Sequence, residues 1–122
     1  KVPSNESGIK HANTAGDCPG IATHPVSNPK NYFGTRFDVA NIHRLVVPDS
    51  FAKINAVLAT NFPMYDQVLV VGNTSFYGGS GGAIATSTTH TNAAEIMIHE
   101  VGHSFALLAD EYWAGTQYAA EK

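Results

Sequence analysis

Cysteine is almost missing from this chain: Cys18 stands alone among 122 residues, which excludes an internal disulfide. Charge is scarce as well, at 14% Asp, Glu, Lys and Arg against about 25% in an average soluble protein. The net charge of −3 and the lack of any basic run argue against nucleic acid or an anionic membrane surface as partner. No apolar stretch reaches the roughly 20 residues of a transmembrane helix, and no leader-like segment precedes Lys1. The chain opens without Met, the pattern expected of a processed product or an excised piece. What is present is 43% hydrophobic residues, enough for one globular core and not two. Low charge combined with many Thr, Asn, Ser and Gly residues fits an exported protein.

One stretch names a chemistry. In His99-Glu100-Val101-Gly102-His103 the two histidines stand four apart, so on a helix they share a face about one turn apart. Both imidazoles can then bind a single Zn²⁺ ion, and Glu100 can reach a metal-activated water as general base. Chance produces such a five-residue match in only a few per thousand chains, on the order of magnitude set by average composition. The surroundings predict a helix. Asn92 and Glu95 have the spacing of a capping box, and Ala93 to Asp110 holds no proline and one glycine. Ile96, Met97, Ile98, Val101, Phe105, Leu107 and Leu108 put apolar surface nearly all round it, which predicts a buried central helix. Three polar side chains in such a helix are costly unless satisfied, and a shared metal satisfies them together.

A catalytic zinc site usually takes three protein ligands. The metzincin signature would place Gly at 106 and His or Asp at 109, and both positions are Ala here. Asp110 and Glu111 are the nearest oxygen donors. On a straight helix Asp110 lies about 10 Å beyond His103, so it can ligate only if the backbone turns back before it. No Gly or Pro between 104 and 109 announces such a turn. The residues alone leave the third ligand open between Asp110, Glu111 and a residue outside the chain.

The run Ile98 to Phe105, followed by Leu108-Ala109-Asp110-Glu111-Tyr112, resembles the IgA-peptidase M64 family of zinc metallopeptidases. Ser4 to Gly8, Gln67 to Val71 and Tyr77 to Ala85 agree with that family in the same order, so the likeness spans most of the chain. The resemblance implies a metzincin-like zinc endopeptidase, exported and bacterial, that is secreted, periplasmic or on the cell surface. It implies His99 and His103 as ligands, Glu100 as general base and Asp110 as third ligand. Metzincin sites rest on a methionine turn after the zinc helix, yet Met64 and Met97 both precede its end and only eleven residues follow Glu111. The expected unit is therefore residues 1–122 as the N-terminal part of one catalytic domain, a fragment of α/β class with a mixed sheet and a buried active-site helix.

Along the chain, residues 1–36 are rich in Asn, Ser, Thr and Gly and broken by Pro3, Pro19, Pro25 and Pro29, which predicts an irregular segment. His11 and His24 lie in it and are read as solvated loop histidines, and Cys18 as an incidental thiol in a turn, with a cysteine switch on the zinc as the sharper alternative. Residues 37–122 carry the sheet and helices. Ile42 to Val47 reads as a short strand, and Asp49 or Ser50 caps a helix whose buried stripe is Phe51, Ile54, Val57 and Leu58. Gln67 to Gly72 reads as a central strand buried on both faces. The glycines from Gly78 to Gly82 read as a flexible loop leading to an edge strand from Ala83 to Ser87. On that edge Gly82, Ala83 and Ile84 are the expected contacts of an extended protein or peptide substrate held by strand addition. His90 reads as a capping-region residue. A non-catalytic zinc-stabilised binding module, or an inactive fragment of such a peptidase, is the alternative. A gluzincin with Glu121 as third ligand is a further one.

Overall fold

In the computed structural model, residues 4–11, 25–40 and 42–110 are described; Cys18, His24, Glu111 and Glu121 lie outside them. The element order is α1 (Phe51–Asn61), β1 (Leu69–Gly72), β2 (Gly79–Ser80), β3 (Ala85–Thr88) and α2 (Ala93–Ala106). This is a small α/β unit with a mixed three-stranded sheet in the order β1-β3-β2. β1 runs parallel to β3 with Leu69 opposite Ala85, and β2 runs antiparallel to it with Gly79 opposite Ser87.

The strands exchange the places expected of them. Val68 to Val71 reads as a centre, yet β1 lies at the margin of the three-stranded sheet and alternates exposed and buried residues. β3, expected at the edge, is central and buried at every position. Its polar residues are tolerated there because each hydroxyl finds an acceptor. Thr86 Oγ1 donates to the Val46 carbonyl, Thr88 Oγ1 to Phe76 (2.7 Å) and Ser87 Oγ to Thr88 (3.2 Å). Hydroxyls short enough to bond nearby carbonyls let a Thr-Ser-Thr run occupy a core that its polarity seems to forbid.

The helices take opposite faces. Ile54 of α1 packs with Val70 and Ile84, while α2 lies over β2 and β3 on the other side, where Ile96 approaches Gly79. α1 begins after Ser50 as expected, but the Ser50 side chain makes no cap, and Asp49 Oδ1 accepts from Arg36 Nε at 2.6 Å. Of its predicted stripe only Ile54 is buried, and Phe51 is exposed. α2 is not enclosed as its composition predicts: Ile96 is its one buried residue, and Ile98 and Phe105 are 76% and 72% exposed. The described elements cover one face of it.

Part of the irregular N-terminal segment enters the core. Ile9 joins Phe37 and Val46, all at or below 2% exposure, and its Cδ1 sits 2.1 Å from where a Cβ on Gly72 would lie. Ile42–Val47 forms no continuous strand. It pairs through isolated bridges, Val39 with Ile42, Leu45 with Gly79 and Arg36 with Val47.

Candidate metal centre and cleft

α2 starts from His90 rather than from the expected capping box. Asn92 makes no side-chain cap; its N–H donates to His90 Nδ1 (3.1 Å), and the Ala93 N–H donates to the His90 carbonyl (2.9 Å). From there the four-residue spacing puts Glu95, His99 and His103 along one stripe and Ile96 with Glu100 along the next. The second stripe rests on β2. A Cβ on Gly79 would lie 2.7 Å from Ile96 Cγ2 and 3.1 Å from Glu100 Cγ. A Cβ on Gly81 would lie 2.4 Å from His103 Cβ. These glycines are therefore packing positions that let the helix settle on the strand, not the freedom of a loose loop. Their spacing of two, which places both on one face of an extended chain, was the sequence signal for this role.

The helix stops at Ala106 because Leu107 adopts a left-handed conformation (φ 53°, ψ 33°). The N–H groups of Leu107 and Leu108 both turn back to the Gly102 carbonyl. Most such turns use Gly. A leucine does so here, so the break carried no mark in the sequence. It swings residues 108–110 back over the last turn of α2. The Leu108 carbonyl then meets His103 Nδ1 at 2.6 Å, and Asp110 Oδ1 lies 3.1 Å from both His99 Nε2 and His103 Nε2.

Nε2 of His99, Nε2 of His103 and Oδ1 of Asp110 thus form a triangle with edges of 3.0, 3.1 and 3.1 Å. The Leu108 carbonyl can only accept, so His103 carries its proton on Nδ1 and presents a lone pair at Nε2. Asp110 Oδ1 is shut off from solvent, and among the described residues no hydrogen bond reaches it. One proton on His99 Nε2 could serve His103 or Asp110, not both. A divalent cation serves all three, and donors about 2.0–2.1 Å from a tetrahedral ion stand about 3.3 Å apart. The donor set fits a metal. A Glu100 carboxylate oxygen lies within 4.8 Å of the imidazole nitrogens, beside the triangle. Burial holds the Glu100 carboxyl above its ordinary range, with Asp110 pushing the same way and the two imidazoles and Arg44 opposing.

These groups open into a cleft of about 950 Å³. One wall is α2 with the 107–110 turn; the other is Gly79 to Gly81 with Ile42, Arg44 and Leu45. Gly82, Ala83 and Ile84 do not line it. Ile84 is 7% exposed and packed on Ile54 and Val70, and the exposed Gly82 donates its N–H to Ser104 Oγ (3.2 Å). The strand beside the cleft is β2, and at Gly79 its outer side pairs with Leu45. Sequence reasoning passed over Arg44, which looked like an interruption of an apolar run.

Residues 3–122 match the family described as IgA Peptidase M64. The chain belongs to the IgA peptidase M64 family. Membership makes it a peptidase, a hydrolase of peptide bonds with protein as its substrate class. No curated protein matches the chain. Among the described residues no helix is long and apolar enough to cross a membrane. Within this M64 chain, His99, Glu100 and His103 bring ligand atoms within 4.8 Å of one another, close enough to hold an ion.

Proposed function

We propose that this M64 chain is a zinc-dependent endopeptidase that hydrolyses extended protein segments outside the cytoplasm of a bacterium. His99, His103 and Asp110 would hold the metal and Glu100 would act as general base. The observation that carries the reading is the solvent-free Asp110 oxygen facing two imidazole nitrogens at 3.1 Å.

When bound, zinc supplies Lewis acidity, polarising a carbonyl and lowering the pKa of a water towards ~7. The chain's own groups do the rest. The Leu108 carbonyl fixes the His103 tautomer, as outer-shell partners of metal-binding imidazoles commonly do. Glu100, next to the donor triangle and lining the cleft, accepts the proton of the attacking water and passes it to the leaving amine. Gly79 packs closely under the stripe that carries Ile96 and Glu100.

Replacing Glu100 by Gln keeps the shape and removes the base. Glu100→Gln should lower peptide hydrolysis by at least about a hundredfold, in line with general-base contributions, and still bind zinc. Normal turnover by this variant would sink the mechanism. Zinc binding by the unaltered chain with no cleavage of any peptide would favour the binding-module alternative.

A further inference from the structure

The return from Leu107 to Asp110 works against several forces at once. Leu107 stands in the left-handed region (φ 53°, ψ 33°), where the Cβ of any residue but glycine meets steric resistance. Burial offers little in exchange, since Leu107 is 85% exposed and Leu108 and Ala109 are exposed too. The return carries the Asp110 carboxylate back beside the last turn of α2, the end at which a helix dipole is negative and favours cations. There Asp110 Oδ1, shut off from solvent, faces the lone pair of His103 Nε2 at 3.1 Å, acceptor against acceptor. What holds the return, among the described residues, is a local set of hydrogen bonds. The Leu107 and Leu108 N–H groups donate to the Gly102 carbonyl, and His103 Nδ1 donates to the Leu108 carbonyl. A divalent cation between the donors turns the repulsion into coordination and offsets the negative helix end. Leu107, Leu108, Ala109 and Asp110 also line the cleft, so whatever closes the return builds that part of the wall.

We propose that Leu107 is the positioning residue of the metal centre, and that its strained turn makes residues 107–110 a latch. A divalent cation holds the latch closed by drawing Asp110 to His99 and His103. This rests on the reading of those three residues as metal donors and adds a coupling to it: zinc loading shapes the cleft as well as completing the site.

The test is a cycle of zinc titrations on the unaltered chain, on Leu107→Gly and Leu107→Val, and on each of the three carrying Asp110→Ala. Leu107→Gly should bind zinc about threefold to tenfold tighter, the relief of left-handed strain less the extra freedom of glycine in an open latch. Leu107→Val should bind about tenfold more weakly, because a β-branched residue resists positive φ most. With Asp110→Ala in place both changes should fall within about twofold, since no ligand then rides on the turn. Hydrogen exchange at the Leu108 amide reads the latch itself. Zinc should slow it by about tenfold or more in the unaltered chain, and Leu107→Gly should slow it in metal-free protein. If Leu107→Val does not fold, Leu107→Gly and the exchange rates decide. Three results overturn the latch and leave the donors standing: zinc affinity indifferent to residue 107, substitution effects as large without Asp110, or Leu108 exchange unmoved by zinc. No zinc binding by the unaltered chain would overturn the donor reading, and the latch with it.

Discussion

His11, Asp38 and His43 are packed inside the core, whereas His99, His103 and Asp110 converge at the side of a cleft. Each group holds two imidazoles and one carboxylate. In the first, His11 is 3% exposed, stacked on Phe37 at 4.3 Å with its edge towards Phe76. His43 Nδ1 meets Asp38 Oδ1 at 2.5 Å with both side chains under 10% exposed. Burial holds His11 below the usual imidazole range; the Asp38 charge opposes this and His43 adds to it. In the second group the side chains are 44%, 21% and 10% exposed for His99, His103 and Asp110, and three donor atoms face one another. The difference teaches that residue type does not decide between a structural and a chemical role. In the first group rings pack on His11 and the Asp38 carboxylate engages His43 Nδ1, while the turn at Leu107 leaves the second group's three donors pointing at one another.

The strongest way to break this contrast is to remove one member of each group. His103→Ala should weaken zinc binding by more than about a hundredfold, beyond the 10- to 100-fold typical of outer-shell losses, with little change in metal-free stability. Asp38→Ala should leave zinc affinity nearly unchanged and cost about 3 kcal/mol, because it strands a buried imidazole. Zinc titration against a chelating dye and urea unfolding read the two. An exchange of effects between the variants would overturn the assignment of roles.

A subtler probe alters only the seat of the metal group. Gly81→Ala places a methyl against His103 Cβ and the Glu100 carbonyl, neither of which is a flexible tip. It should cost about 1–3 kcal/mol as overpacking does and lower zinc affinity too. Gly102→Ala is the control, since its Cβ would meet only Leu108 Cδ1 at an ordinary 3.6 Å. In mid-helix it should add about 0.5–1 kcal/mol. Equal effects from the two would mean that close approach at Gly81 does not matter.

The smallest effect concerns acid. His11 takes its proton at a lower pH folded than unfolded. Below about pH 6.5 the unfolded chain binds that proton and the folded one does not, so stability should fall as pH drops through this window. The contribution of one such group is at most about 1.4 kcal/mol per pH unit. Urea midpoints between pH 7.5 and 5.5 should flatten in His11→Gln; an unchanged slope would remove His11 from the explanation.

The helix with His99, Glu100 and His103 was legible in the sequence because spacing alone puts ligands on one face. Asp110 could not be brought to them by spacing, since the turn that delivers it sits on a leucine, a residue with no preference for that conformation. The sheet misled for a different reason. Apolar runs suggest centres and hydroxyl runs suggest edges, but Val46, Phe76 and Thr88 offer carbonyls that satisfy Thr86, Thr88 and Ser87 inside the core. His11 looked like a solvated loop residue because neither Phe37 nor Phe76, its ring partners, is near it in sequence.

The left-handed turn at Leu107 also bears on how the site comes to exist as the chain folds. His99 and Asp110 are eleven positions apart, and the only non-helical closure between them is the short return through Leu107. Loop-closure entropy grows with the length of chain to be closed, so gathering these donors asks little of the distant sheet. The tertiary fold then seats the helix on β2 through Gly79 and Gly81 and raises the wall across from the donors.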